Sequence, residues 1–364
     1  MLVAALGTAA WVGMAYWPRG PRDAASTTTG TSTTTGTTAA TGTTTTTSSP
    51  PPSLHGPSSI NTYGYARTTL QLVEPPANGL PARTLPVAIW YPTRKGSSAP
   101  DQANGPYPLL MFSQGYWTTV TMYARLLAYW ASAGYVVAAP SYPTTGPDPT
   151  LVGTTARANA REFDDIGHHP GDLEFAIGSI IARAQKPGWL LSDLIDKTEI
   201  GLAGQSDGGD VSLAVADNSQ YQDPAVRSLA VLSGSEWSAA FGGAYFAKSP
   251  YPPLLAIQSP NDTINDPACS VQFYDQAPQA DKYYLRLQGP TGPTPKAIHL
   301  GPYTTLLPYV QLIATVTTDF FDATVAGQPA DLTAMRQAGD HPGLAGLATG
   351  PTAPTPPGTC PTEP

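Results

Sequence analysis

The chain has 364 residues, enough for one large domain or two small ones. Its net charge is −8, and no cluster of Lys and Arg offsets that acidity. Nucleic acid is therefore excluded as the main partner, because phosphate recognition needs clustered cations. Hydrophobic residues make up 41%, adequate for a packed core, while charged residues make up only 12%. Much of the polarity comes instead from Thr, Ser, Pro and Gly, which suits an exported protein with flexible tethers.

In chain order, residues 2–17 (LVAALGTAAWVGMAYW) are apolar and uncharged. The run is short for a bilayer span of about 20 residues and fits the apolar core of a signal peptide. Arg19 and Arg22 follow it and no cation precedes it, the reverse of signal-peptide order. Residues 1–25 are thus expected to be a signal peptide or a membrane anchor, and the protein to be secreted or membrane-tethered and extracytoplasmic. Residues 26–56 are almost wholly Thr, Ser, Gly, Ala and Pro. Such a tract cannot bury enough apolar surface to offset its ordering entropy, so a disordered linker is expected. Residues 57–328 carry a globular pattern, and 329–364 return to Pro, Gly, Thr and Ala, as expected for an extended tail.

Within the globular part, strand-like runs occupy 86–92, 108–115, 135–142, 199–204, 229–234, 253–258 and 283–289. Several are continuously apolar, the pattern of strands covered on both faces. Helical patterns lie between them, at 120–134 with Gly134 as a C-terminal stop, at 170–185 with Pro170 in the first turn, and at roughly 303–325. Strands alternating with helices predict an α/β fold with a mostly parallel central sheet flanked by helices.

The strongest motif is EIGLAGQSDGGDVSLAVA at 199–216, where an apolar strand runs through Gly204-Gln205-Ser206-Asp207-Gly208 into a small-residue helix. A serine at such a strand-to-helix turn is held on a strained backbone with its hydroxyl presented outward. The two glycines leave room where backbones crowd. The following helix start directs N–H groups at the reaction centre, and the Asp207 amide is expected as one half of an oxyanion hole.

A serine hydroxyl needs a base, and the base an orienting acid, in the chain order Ser, Asp or Glu, His. Downstream, His299 lies in a stretch read as a loop after the strand 283–289, and His341 lies in the tail. Asp262 follows the strand ending near Gln258, with Asp266 four residues later. The expected catalytic set is Ser206, Asp262 and His299, with His341 and Asp266 as the competing histidine and acid. The loop after the strand 108–115 supplies the expected second oxyanion donor, the Tyr116 amide, with Gln114 as a buttress. Tyr116 and Trp117 are expected to contact substrate. His168 and His169 adjoin, but no third ligand accompanies them, so they are read as helix-entry structure and no metal is expected. Cys269 and Cys360 lie 91 residues apart with no Cys-x-x-Cys pair, which in an exported chain suits one disulfide.

The stretches PVAIWYP, PLLMFSQGY, YARLLAYWASAGYVVAAPSYP, GQSDGG, NDTIN and HLGPY resemble the platelet-activating-factor acetylhydrolase, dienelactone-hydrolase and cutinase-like esterase branch of the α/β-hydrolases. The resemblance spans roughly residues 60–326. It implies Ser206, Asp262 and His299 as a triad, with the Tyr116 and Asp207 amides as the oxyanion hole. Relatives often carry His-Gly where this chain has Gln114-Gly115, and Arg-Pro where it has His169-Pro170. The expected activity is hydrolysis of a small-molecule or polymeric ester by a monomer that needs no cofactor. The alternative is a surface-displayed binding domain that keeps the fold without catalysis.

Overall fold

A computed structural model describes residues 60–76, 81–147, 150, 155–351, 353 and 360–361. The expected N-terminal segment and linker lie outside the described residues. Among these residues no helix is long and apolar enough to cross a membrane.

The strands are β1 (Gly64–Glu74), β2 (Arg83–Thr93), β3 (Tyr107–Ser113), β4 (Val136–Pro140), β5 (Ile195–Gln205), β6 (Val226–Leu232), β7 (Leu254–Gln258), β8 (Lys282–Leu287) and β9 (Ala345–Ala348). They form one sheet in the order β1-β2-β4-β3-β5-β6-β7-β8-β9. From β4 to β8 every pairing is parallel, whereas β1, β2 and β9 join antiparallel at the two ends. The helices are α1 (Ala124–Ala133), α2 (Thr155–Asp165), α3 (His169–Ala184), α4 (Asp207–Asp217), α5 (Ser238–Phe241), α6 (Pro267–Gln276), α7 (Pro295–Thr304), α8 (Leu307–Thr324) and α9 (Asp331–Gly339).

Alternation along β3 shows how the apolar runs divide. Leu109 and Met111 pack with α3, α4 and α6 on one face, and Leu110 and Phe112 pack with α1, α7 and α8 on the other. Strand residues of both parities are therefore buried, which is why the sequence reads as continuous apolar runs.

Parts of the fold depart from the sequence reading. β1 is a half-exposed edge strand with weak apolar alternation, and its pairing along all of β2 fixes it. The expected extended tail instead contributes α9 and the short strand β9, where Leu347 registers against Leu285 of β8. Its Gly and Ala residues carry little strand propensity, so the neighbouring strand decides the conformation. His299 sits on a helix, α7, not in a loop. Thr294 caps that helix by accepting from the Ala297 N–H, and Pro295 occupies its first turn.

Cys269 on α6 is bridged to Cys360, which ties the end of the chain to the body.

The turn from β5 into α4 is the tightest packing in the fold. A Cβ on Gly204 would collide with the Gly208 carbonyl, and one on Gly208 with the Ser113 carbonyl of β3. Between them Ser206 adopts φ 56° and ψ −132°, a conformation that costs a non-glycine residue energy. Surrounding bonds hold it there: Ser206 N donates to Leu232 O at 2.9 Å, and its carbonyl accepts from Gly209 N at 2.6 Å and Asp210 N at 3.1 Å.

Gly208→Ala is expected to cost about 3 kcal/mol of folding stability, through overpacking of backbone against backbone. Urea denaturation of the purified variant measures it.

A second prediction concerns pH. Both carboxylate oxygens of Asp217, at the end of α4, are buried without a hydrogen-bond partner. Burial pushes its pKa from 3.8 up to about 8. The folded state thus holds this proton to higher pH than the unfolded chain, and stability drains away as pH rises from about 4 to about 8. Asp217→Asn should leave the melting temperature nearly unchanged at pH 4 and stabilise by about 2 kcal/mol at pH 8.5. Thermal scans at the two pH values check the difference.

Candidate active site

Parallel strands deliver their C-terminal ends to one edge of the sheet, where ligands of open α/β sheets bind. Ser206 follows β5, Tyr116 and Trp117 follow β3, Asp262 follows β7, and His299 follows β8 on α7.

Asp262 and His299 form a buried pair, with His299 Nδ1 2.7 Å from Asp262 Oδ2. The carboxylate acts wholly as an acceptor. Its Oδ1 takes the N–H groups of Ile264 at 3.0 Å and Asn265 at 3.1 Å, and its Oδ2 also takes Gln258 Nε2 at 3.3 Å. Facing a carboxylate, Nδ1 carries the imidazole proton, which leaves Nε2 with a free lone pair. The two competitors are occupied elsewhere. Asp266 caps α6 by accepting from Ala268 N at 2.9 Å, and His341 is half-buried just before a turn, its Nδ1 3.2 Å from Pro342 O.

The lone pair of His299 Nε2 faces Gln205, whose Nε2 lies 2.9 Å away. Tyr123 Oη donates to Gln205 Oε1 at 2.6 Å, which fixes the amide with its N–H toward the imidazole. Ser206 Oγ is turned to Asp207 Oδ1 at 3.4 Å, a long contact. Ser206 and His299 therefore line one cleft while each is hydrogen-bonded to a different neighbour. Sequence reasoning missed Gln205, which occupies a position inside the motif where the turn geometry imposes no residue type.

The cleft is partly open to solvent and spans about 800 Å³, the solvent at its mouth included. Its apolar walls are Tyr116, Trp117, Phe163, Trp237, Ile264 and Leu300. Tyr116 and Trp117 were expected there; Phe163 and Trp237 were not. The latter pair meet edge to face at 5.6 Å, with Phe163 still 44% exposed at the mouth. Gln114 donates to Thr118 O at 3.1 Å and so braces the Tyr116 loop from below. Lys296, two residues before Ile298 on α7, reaches across to Trp117 O at 3.3 Å, and burial draws its pKa down.

Two carboxyls face the same space. Burial pushes the Asp207 pKa up to about 7, reinforced by the charge of Glu162 and opposed by His169 and His299. Burial also raises that of Glu162, which accepts from Thr145 Oγ1 at 3.2 Å and lies 4.0 Å from His169 Nδ1. His169 in turn stacks on Tyr142 at 4.4 Å and reaches Asp165 at 3.1 Å. Arg83 of β2 grips both Asp165 and Asp172. The His168–His169 step is thus built into an ion-paired scaffold behind the cleft. Among the described residues no group of three or more His, Cys, Asp or Glu is arranged to hold a metal ion.

Comparison with known proteins agrees with this architecture. A protein-family model described as chlorophyllase matches residues 63–160, a stretch that runs from β1 into α2 and ends before Ser206. No curated protein matches the chain. Among solved structures, a ferulic acid esterase from Streptomyces cinnamoneus aligns with a TM-score of 0.53 and 19% identity, over 75% of this chain and 93% of that one. With its mostly parallel sheet, helices on both faces and a strained serine after β5, the chain has the α/β-hydrolase fold.

Proposed function

We propose that the protein is a serine hydrolase that cleaves carboxylic esters through an acyl-enzyme. The observation that carries this reading is the convergence of Ser206, on its strained turn, with the His299–Asp262 pair in one apolar-walled cleft. The chlorophyllase model and the ferulic acid esterase likeness support ester chemistry. The motif resemblance to the platelet-activating-factor acetylhydrolase, dienelactone-hydrolase and cutinase-like branch is the narrower form of the same reading.

In this mechanism Ser206 Oγ attacks the acyl carbon as His299 Nε2 takes its proton. Asp262 holds the ring and stabilises the imidazolium. The backbone amides of Asp207 and Tyr116 receive the developing oxyanion. His299 then protonates the leaving alcohol, and water, activated by the same nitrogen, releases the acid and restores the serine. The aromatic walls favour an aromatic or otherwise apolar ester. A polyester chain is the second reading, because the cleft is partly open and Phe163 stands exposed at its mouth. The Cys269–Cys360 bridge supports an oxidising, extracytoplasmic setting.

A fluorophosphonate probe should label Ser206 under native conditions, and Ser206→Ala should lower kcat on a p-nitrophenyl ester by about 10⁶. Silence of the native protein toward the probe would favour the non-catalytic binding domain. Asp262→Asn should leave the fold intact and lower kcat by about 10⁴, because the imidazole loses its orienting acceptor. A panel of esters graded by chain length, beside a polyester film, separates the two substrate readings.

A further inference from the structure

The base of the proposed reaction is occupied. Gln205 Nε2 lies 2.9 Å from His299 Nε2, the atom that must receive the Ser206 proton. An sp² ring nitrogen has one in-plane lone pair, so it accepts one strong hydrogen bond at a time. While the amide donates there, the serine hydroxyl has no acceptor on the imidazole. The hydroxyl is accordingly found on Asp207 Oδ1 at 3.4 Å.

The amide is held from behind. Tyr123, fully buried, donates to Gln205 Oε1 at 2.6 Å, and lies 3.4 Å from both Thr118 Oγ1 and Gly115 N. Gln205 itself is 1% exposed yet lines the cleft beside Ser206. A chain of four side chains, Tyr123–Gln205–His299–Asp262, therefore pins the ring at both nitrogens.

We propose that Gln205 is a positioning residue that masks the lone pair of His299 in the empty enzyme. When an ester enters the cleft, the Gln205 N–H passes to an oxygen acceptor on the substrate. His299 Nε2 is then free to accept from Ser206, and the nucleophile is activated only beside its substrate. No bond other than hydrogen bonds changes in this step. Substrates with an acceptor oxygen within reach of Gln205 gain most, so Gln205 also sets which esters are turned over. This inference rests on the ester-hydrolase reading above.

Two near-isosteric variants separate masking from simple structural support. Gln205→Met removes the donor and should raise the second-order rate constant for fluorophosphonate labelling of Ser206 about five-fold, the scale of one net hydrogen bond. Gln205→Glu turns an acceptor toward Nε2, which favours a proton on that nitrogen. Labelling and kcat/KM on a p-nitrophenyl ester should then fall about 100-fold, the scale of losing a general base. A purely structural role predicts the opposite order, with the isosteric polar Glu tolerated and Met damaging. The nitrogen NMR shifts of His299 add a spectroscopic readout: the Nε2 shift should move as the Ser206 hydroxyl replaces the amide in Gln205→Met, and Nε2 should gain a proton in Gln205→Glu. If Gln205→Met does not fold, Tyr123→Phe, which removes the anchor of the amide, should raise labelling in the same direction. Labelling of Gln205→Met at or below the wild-type rate, with a native melting temperature, overturns the proposal. Absence of labelling in the wild type would instead sink the ester-hydrolase reading itself.

Discussion

The contact between the backbones of β3, β5 and α4 is the constraint on which the rest depends. Gly204 and Gly208 let three segments approach more closely than any side chain would permit. That approach forces the left-handed turn at Ser206 and aims the start of α4 at the cleft. The strain is local, and the sheet bears it. Ser206 is tied through its amide to β6 and through its carbonyl to α4, so relaxing the turn would break bonds on two sides. The position of the hydroxyl is thus a property of the sheet as a whole.

Around that point the polar groups are organised in two unlike ways. On the His299 side, Asp262 is fully satisfied by two backbone amides, an amide side chain and the imidazole, a rigid arrangement. On the opposite wall, Glu162 and Asp207 share a poorly solvated space, and burial raises both. The Arg83–Asp165–Asp172 cluster anchors His169 behind them. One wall therefore fixes geometry, and the other sets the charge presented to the cleft.

Much of this was legible in the residues themselves. The seven internal strands announce themselves because they are buried on both faces, as Leu109–Phe112 illustrates. The elbow is legible because its geometry dictates glycine at two fixed offsets. The acid and the imidazole can be narrowed by chain order, and Asp262 meets His299 while Asp266 is spent on capping a helix. What escaped notice is governed by neighbours. β9 is a four-residue strand, three of its residues Gly or Ala, whose conformation comes from β8. The polar helix α2, which brings Glu162 and Phe163 to the cleft, is positioned by ion pairs to a residue some eighty positions away. Gln205 is invisible to motif logic, since the motif leaves that position open.

The bridge between Cys269 and Cys360 has a topological consequence. It closes a covalent ring that contains β8, α7, α8, α9 and β9, so His299 rides on a closed loop while Ser206 and Asp262 sit on the open chain before it. A single protease cut inside the ring leaves the molecule in one piece, its two fragments joined through the bridge at α6. A cut between residues 206 and 269 severs Ser206, or Ser206 and Asp262 together, from the ring. Toward a protease, the segments that carry His299 and Ser206 consequently differ in how many nicks they can survive.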